Sequence, residues 1–134
     1  MSHTFKISAL NNCIGSGVSA GLITGVSVKL GQLLTISVPS DDTWIIAGQQ
    51  PSNANGLGNP LGMNLGLFQF NGFSFQAGSL VGSIDGGKTF FAVGTRLELT
   101  ILEAGRLMLW CWYQKNAGNS GDVTATVELY NGPI

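Results

Sequence analysis

Charge is scarce in this sequence. Lys, Arg, Asp and Glu make up 10% of its residues, against about 25% in an average soluble chain. No basic run occurs anywhere. The clustered cations that a phosphate backbone requires are therefore missing, which argues against nucleic acid as a partner. No uninterrupted apolar stretch approaches the length of a membrane-spanning helix, so no transmembrane segment is expected. There is one histidine, His3, placed where a terminus frays, which leaves little room for Ser-His-Asp or Cys-His catalysis. The two cysteines, Cys13 and Cys111, lie far apart in the chain, and neither belongs to a CxxC pair. A zinc site or a thioredoxin-like motif is not indicated. One disulfide is conceivable between them, but a reducing cytosol favours two buried thiols. The opening Met1–Lys6 has none of the charged, apolar and cleavage regions of a secretion signal. The expectation is cytoplasmic synthesis, with any release to the extracellular space left to another route or to lysis.

Apolar side chains, by contrast, reach 44%, a level at which a chain buries a core instead of staying disordered. Helical periodicity is hard to find, and period-two alternation recurs throughout. Along Asp122–Leu129, Val123, Ala125, Val127 and Leu129 share one face, while Asp122, Thr124, Thr126 and Glu128 share the other. That is the signature of a half-buried antiparallel strand. Residues 97–101 and 5–9 repeat it. Richer apolar strands are expected at 21–29, 32–38, 43–47, 66–70, 79–84, 89–93 and 106–113. Turn residues separate them, notably Asn71-Gly72 and Asp85-Gly86-Gly87, which suit tight hairpins because their positions tolerate positive φ. Short strands at this spacing predict one all-β domain over 1–134, a two-sheet antiparallel β-sandwich of roughly nine strands.

Residues 48–65 stand apart as one long polar loop without charge. Such a loop on a rigid scaffold either carries function or merely connects, and composition leaves both readings open. An enzymatic carboxylate pair is not evident. Glu98 and Glu128 alternate with apolar neighbours and read as a solvated strand face. Asp85 reads as a turn residue that bonds its own backbone. Asp41 and Asp42 sit in a Pro-Ser-Asp-Asp turn, where adjacent carboxylates are ordinarily solvated. The strand 106–113 is apolar on both faces: Leu107, Leu109, Cys111 and Tyr113 on one, Met108, Trp110 and Trp112 with Arg106 and Gln114 on the other. The tryptophan face suits a core, a subunit interface or a stacking platform for sugar rings.

Several segments carry a resemblance. Gly78–Ile84, Phe90–Gly94, Ala104–Trp110, Gly118–Asp122 and the closing alternating strand, together with Thr24–Trp44, resemble the bacterial galactophilic lectins of the LecA type. The likeness runs over about residues 20–130 and implies a jelly-roll, galactose-binding-like sandwich. It also implies galactoside recognition through one calcium ion. The ion is held by a backbone carbonyl after the tryptophan and by an Asp–Thr–Asn–Asn set near the last hairpin. Carried over position by position, the carbonyl falls on Ala47, the Asp on Cys111, the Thr on Lys115, the first Asn on Gly118 and the second on Asn119. Only Asn119 keeps its identity. Calcium wants six to eight oxygen ligands, usually with carboxylate charge, and Cys111 and Lys115 offer a soft sulfur and a cation. No metal site and no cofactor are therefore expected, calcium being disfavoured.

Sugar recognition without an ion needs planar amides and an aromatic surface, since amides both donate and accept. The expected set is Trp44, Gln49, Gln50, Asn53, Asn55, Trp112, Tyr113, Gln114, Asn116 and Asn119. The sequence thus reads as a non-enzymatic, lectin-like carbohydrate-binding protein. Its partners would be glycans, galactosides first among them, and it would form a homo-oligomer. The rival reading is a sandwich that self-assembles through the Met108–Trp110–Trp112 stripe and binds no sugar. An enzyme would need His3 or a carboxylate pair placed in a cleft.

Overall fold

A computed structural model describes residues 2–48, 51–56 and 66–131. The described residues hold strands β1 (Ser2–Ser8), β2 (Leu22–Val28), β3 (Leu33–Ser37), β4 (Trp44–Ile45), β5 (Pro51–Ser52) and β6 (Leu67–Phe70). They continue with β7 (Phe73–Gln76), β8 (Ser79–Ser83), β9 (Phe91–Ala92), β10 (Arg96–Thr100), β11 (Gly105–Trp112) and β12 (Asp122–Tyr130). Two short 3₁₀ turns, Ile14–Ser16 and Val18–Ala20, link β1 to β2. No described helix is long and apolar enough to cross a membrane.

Two four-stranded antiparallel sheets, ordered β1-β12-β3-β10 and β2-β11-β8-β9, form the sandwich. The expected all-β, two-sheet architecture is therefore observed. Its core follows the alternation read from the sequence. Val123, Ala125 and Val127 of β12, Leu34 and Ile36 of β3, and Leu107, Leu109 and Cys111 of β11 enclose one apolar layer. His3 is not frayed. It pairs with Val127 in the β1–β12 ladder and lies 6.3 Å from the Phe5 ring.

The tryptophan face of β11 meets a second, smaller core. The β6–β7 hairpin folds over it, and Phe68, Phe70, Phe73 and Phe75 pack against Trp110, Trp112, Phe90 and Ile14. Edge-on contacts knit this cluster together, with ring centroids 5.0 Å apart for Phe75–Trp112 and 5.2 Å for Phe90–Trp110. Such edge-to-face pairs add to plain area burial. The hairpin turns at Asn71 and Gly72, both at positive φ, as its Asn-Gly sequence dictates. Trp110 and Trp112 are accordingly unavailable as a self-assembly stripe in the folded chain, because the chain's own hairpin covers them, while Met108 is half-buried.

The Asp85-Gly86-Gly87 segment differs from the tight hairpin expected there. β8 and β9 pair through Val81–Ala92 and Gly82–Phe91, so the connection is a wider loop. The Asp85 carboxylate organises it, accepting from the Thr89 hydroxyl at 2.6 Å, the Thr89 amide at 2.9 Å and the Ser83 hydroxyl at 2.8 Å.

Candidate functional site

One end of the sandwich gathers three chain segments. The short β4 lies between two neighbours: Ile45 pairs with Pro51 on one side and with Ser120 on the other. Beyond β4, the Ala47 amide donates to Asn119 Oδ1 at 3.0 Å, and the Gly48 amide donates to the Gly118 carbonyl at 2.8 Å. Ala47 is held at φ 55°, one of two described non-glycine residues with positive φ. A left-handed alanine costs free energy and persists only where its surroundings fix it. Asn119 does the fixing, since its amide nitrogen also donates to the Ala9 carbonyl at 2.9 Å and to the Lys115 carbonyl at 3.3 Å. Gly118, at φ 83°, lies so close that an added Cβ would sit 3.3 Å from the Ala47 backbone. Around this junction Gln114, Lys115, Ala117, Gly118 and Ser120 are exposed.

The residues expected to touch sugar fall into separate groups. Trp44 and Trp112 are 1% and 0% exposed, and their indole nitrogens are committed to the Gly78 carbonyl at 2.8 Å and the Phe68 carbonyl at 2.7 Å. Neither presents a ring face to solvent, so the expectation of a tryptophan stacking platform is corrected: both rings are core. Tyr113 is buried, and Asn119 is buried as the loop clasp just described. Asn116 is half-buried and donates to the Leu10 carbonyl at 3.2 Å. Asn53 donates to the Ser40 carbonyl and receives the Asn55 amide, while Asn55 Oδ1 accepts from the Thr95 amide at 2.8 Å. These asparagines shape the rim as well as line it. Gln114 is exposed. Gln49 and Gln50 lie outside the described residues, as does much of the polar stretch 48–65.

Sequence reasoning missed the loop clasp. Asn119 was legible as a polar residue near a hairpin, but its partners Ala9 and Ala47 are ordinary alanines whose backbone groups carry no sequence signal.

Asn119 Oδ1 is already an acceptor for Ala47, Cys111 is fully enclosed, and Lys115 brings a cation. Asp42 uses a carboxylate oxygen to accept the Thr124 amide at 2.6 Å. Among the described residues no group of three His, Cys, Asp or Glu side chains is placed to hold a metal ion. Burial pushes the thiols of Cys13 and Cys111 up, the second well above its ordinary range, and the neighbouring Cys13 adds to that rise. A separate groove at the opposite end of the sandwich is lined by His3, Phe5, Ser27, Gln32 and Asn131. It places the imidazole in a depression, and among the described residues no carboxylate lines that groove.

No protein family model matches the chain, and no curated protein matches it. Among solved structures it is similar to one described as "EclA N-terminal domain; PllA-like lectin". The identity is 21%, the TM-score is 0.62, and the match covers 95% of this chain and 93% of that one. The likeness is one of fold: this chain shares that structure's β-sandwich.

Proposed function

We propose that this protein is a non-enzymatic carbohydrate-binding module. In this reading it recognises glycans through the rim formed by residues 45–48, 51–56 and 114–120, and galactosides are the first class to test. The observation that carries the reading is Ala47, held in a left-handed backbone by the buried Asn119 clasp. A strained residue over-determined by its surroundings is characteristic of a ligand-positioning loop. The lectin-like fold of the solved neighbour supports it, as does a rim dressed with amides, hydroxyls and a lysine instead of carboxylates. Recognition proceeds without calcium, hydrogen-bond donors from the chain taking the ion's role. Multivalent display through a homo-oligomer would supply avidity to weak single sites.

The test is a glycan array probed with labelled protein in calcium and, separately, in chelator. Retained binding to the same sugars in both conditions is expected, and Lys115→Glu with Gln114→Ala should weaken it while the protein stays folded. No binding in either condition would sink the carbohydrate reading. Binding seen only with calcium would overturn its ion-free form.

A further inference from the structure

Cys13 and Cys111 meet in the fold although most of the chain lies between them. They are partners in an isolated parallel bridge, secured by the Cys111 amide donating to the Asn12 carbonyl at 2.8 Å. Strands bridged in this way lie about 4.8 Å apart, inside the span of about 4.4–6.8 Å between Cα atoms that a disulfide accepts. Both side chains are fully enclosed in the same apolar core, and neither is bonded to another sulfur. The two also sense one another electrostatically, the charge on Cys13 opposing ionisation of Cys111.

We propose that Cys13 and Cys111 form an internal disulfide that staples the segment Ala9–Ser16 to β11. The oxidant is a low-molecular-weight disulfide. One cysteine thiolate attacks it, breaking its S–S bond, forming a mixed disulfide and releasing one small thiolate. The second cysteine then attacks the protein-side sulfur of that mixed disulfide and releases the other. Two protein thiols are oxidised, one small disulfide is reduced to two thiols, and the two protons pass to the departing sulfurs. Because both sulfurs are enclosed, the exchange runs on the folding chain or when segment 9–16 lifts. The staple sits immediately before the loop that carries Lys115, Gly118 and Asn119, and Cys13 already donates to the Tyr113 carbonyl at 3.2 Å. This inference does not depend on the carbohydrate reading.

The experiment equilibrates the intact protein with reduced and oxidised glutathione, in native buffer and in concentrated guanidinium chloride. Acid quenching, alkylation under denaturing conditions and intact mass then count the free thiols. The expected product in native buffer is a monomer two hydrogens lighter with no alkylated cysteine. Its effective thiol concentration should exceed that of the unfolded chain by at least about 100-fold, and the oxidised protein should melt roughly 10 °C above the reduced one. Three results would overturn the proposal: an effective concentration no higher than in denaturant, glutathione retained on a single cysteine, or disulfide-linked dimers.

Discussion

Asn119 and Ala47 form one clasp: the asparagine Oδ1 accepts the alanine amide at 3.0 Å, while the same side chain donates to the Ala9 carbonyl at 2.9 Å. Three loops that are remote in sequence are thereby tied through one buried amide. Asn119→Ala would strand the Ala47 amide and the Ala9 carbonyl, each costing about 1–3 kcal/mol when left unsatisfied. The expected loss is about 2–4 kcal/mol in urea unfolding, together with a loosening of the 45–48 turn visible as faster amide exchange at Ala47 and Gly48. A loss below about 0.5 kcal/mol would show that the clasp is not a structural element.

The aromatic cluster beneath the β6–β7 hairpin gives a graded series. Trp112→Ala removes a fully buried indole and should cost about 3–5 kcal/mol. Trp112→Phe keeps much of the packing and deletes the bond to the Phe68 carbonyl, for about 1–2 kcal/mol. A charged residue at the same position should unfold the hairpin face, seen as a lowered Tm. Dissociation of an assembly with unchanged thermal stability would instead return Trp112 to an interface.

Glycine positions separate steric cost from conformational cost. A Cβ on Gly15 would stand 2.2 Å from the Gln114 carbonyl carbon and oxygen, backbone atoms that cannot swing aside. Gly25, at φ 77°, has nothing within 4 Å of an added Cβ. Gly15→Ala is therefore expected to cost upwards of about 2 kcal/mol through overpacking, and Gly25→Ala about 1 kcal/mol through its left-handed backbone. Equal losses in paired denaturation curves would contradict this division.

Asp85 carries a pH signature. Partial burial pushes its carboxyl pKa up, but the bonds from Thr89, Ser83 and Lys88 outweigh burial and hold it below the usual carboxylate value. A depressed folded pKa means stability that is fully present above the unfolded value near 4 and lost as pH falls through the folded pKa. Asp85→Asn should consequently destabilise the protein at neutral pH, and the gap to wild type should narrow below about pH 4. A gap that stays constant into acid would show that the carboxylate charge plays no part.

Much of the scaffold was legible in the residues themselves. Alternation along Asp122–Leu129 marked the strand and its inward face, and Asn71-Gly72 marked the hairpin that now turns at those two residues. The two faces of 106–113 also sorted correctly, Leu107, Leu109 and Cys111 to one side and Met108, Trp110 and Trp112 to the other. Period-two patterns and turn chemistry are local, so a local reading recovers them. The partner strand Phe73–Gln76 is not among the expected strands, although Phe-Ser-Phe-Gln alternates directly after Asn71-Gly72.

Tertiary structure alone decided where the aromatic and amide residues are placed. A strand that is apolar on both faces does not reveal what covers its second face; here it is Phe68, Phe70, Phe73 and Phe75, brought in by a hairpin from elsewhere in the chain. The two tryptophans of that strand, open from composition to core, partner or sugar, are therefore core residues. The loop clasp and the meeting of Cys13 with Cys111 depend on contacts between residues far apart in sequence, whose partners include backbone groups that every amino acid shares. Sequence determined the strands and their faces because alternation is a property of neighbours. Packing determined the candidate site because closing one end of a sandwich is a property of the whole chain.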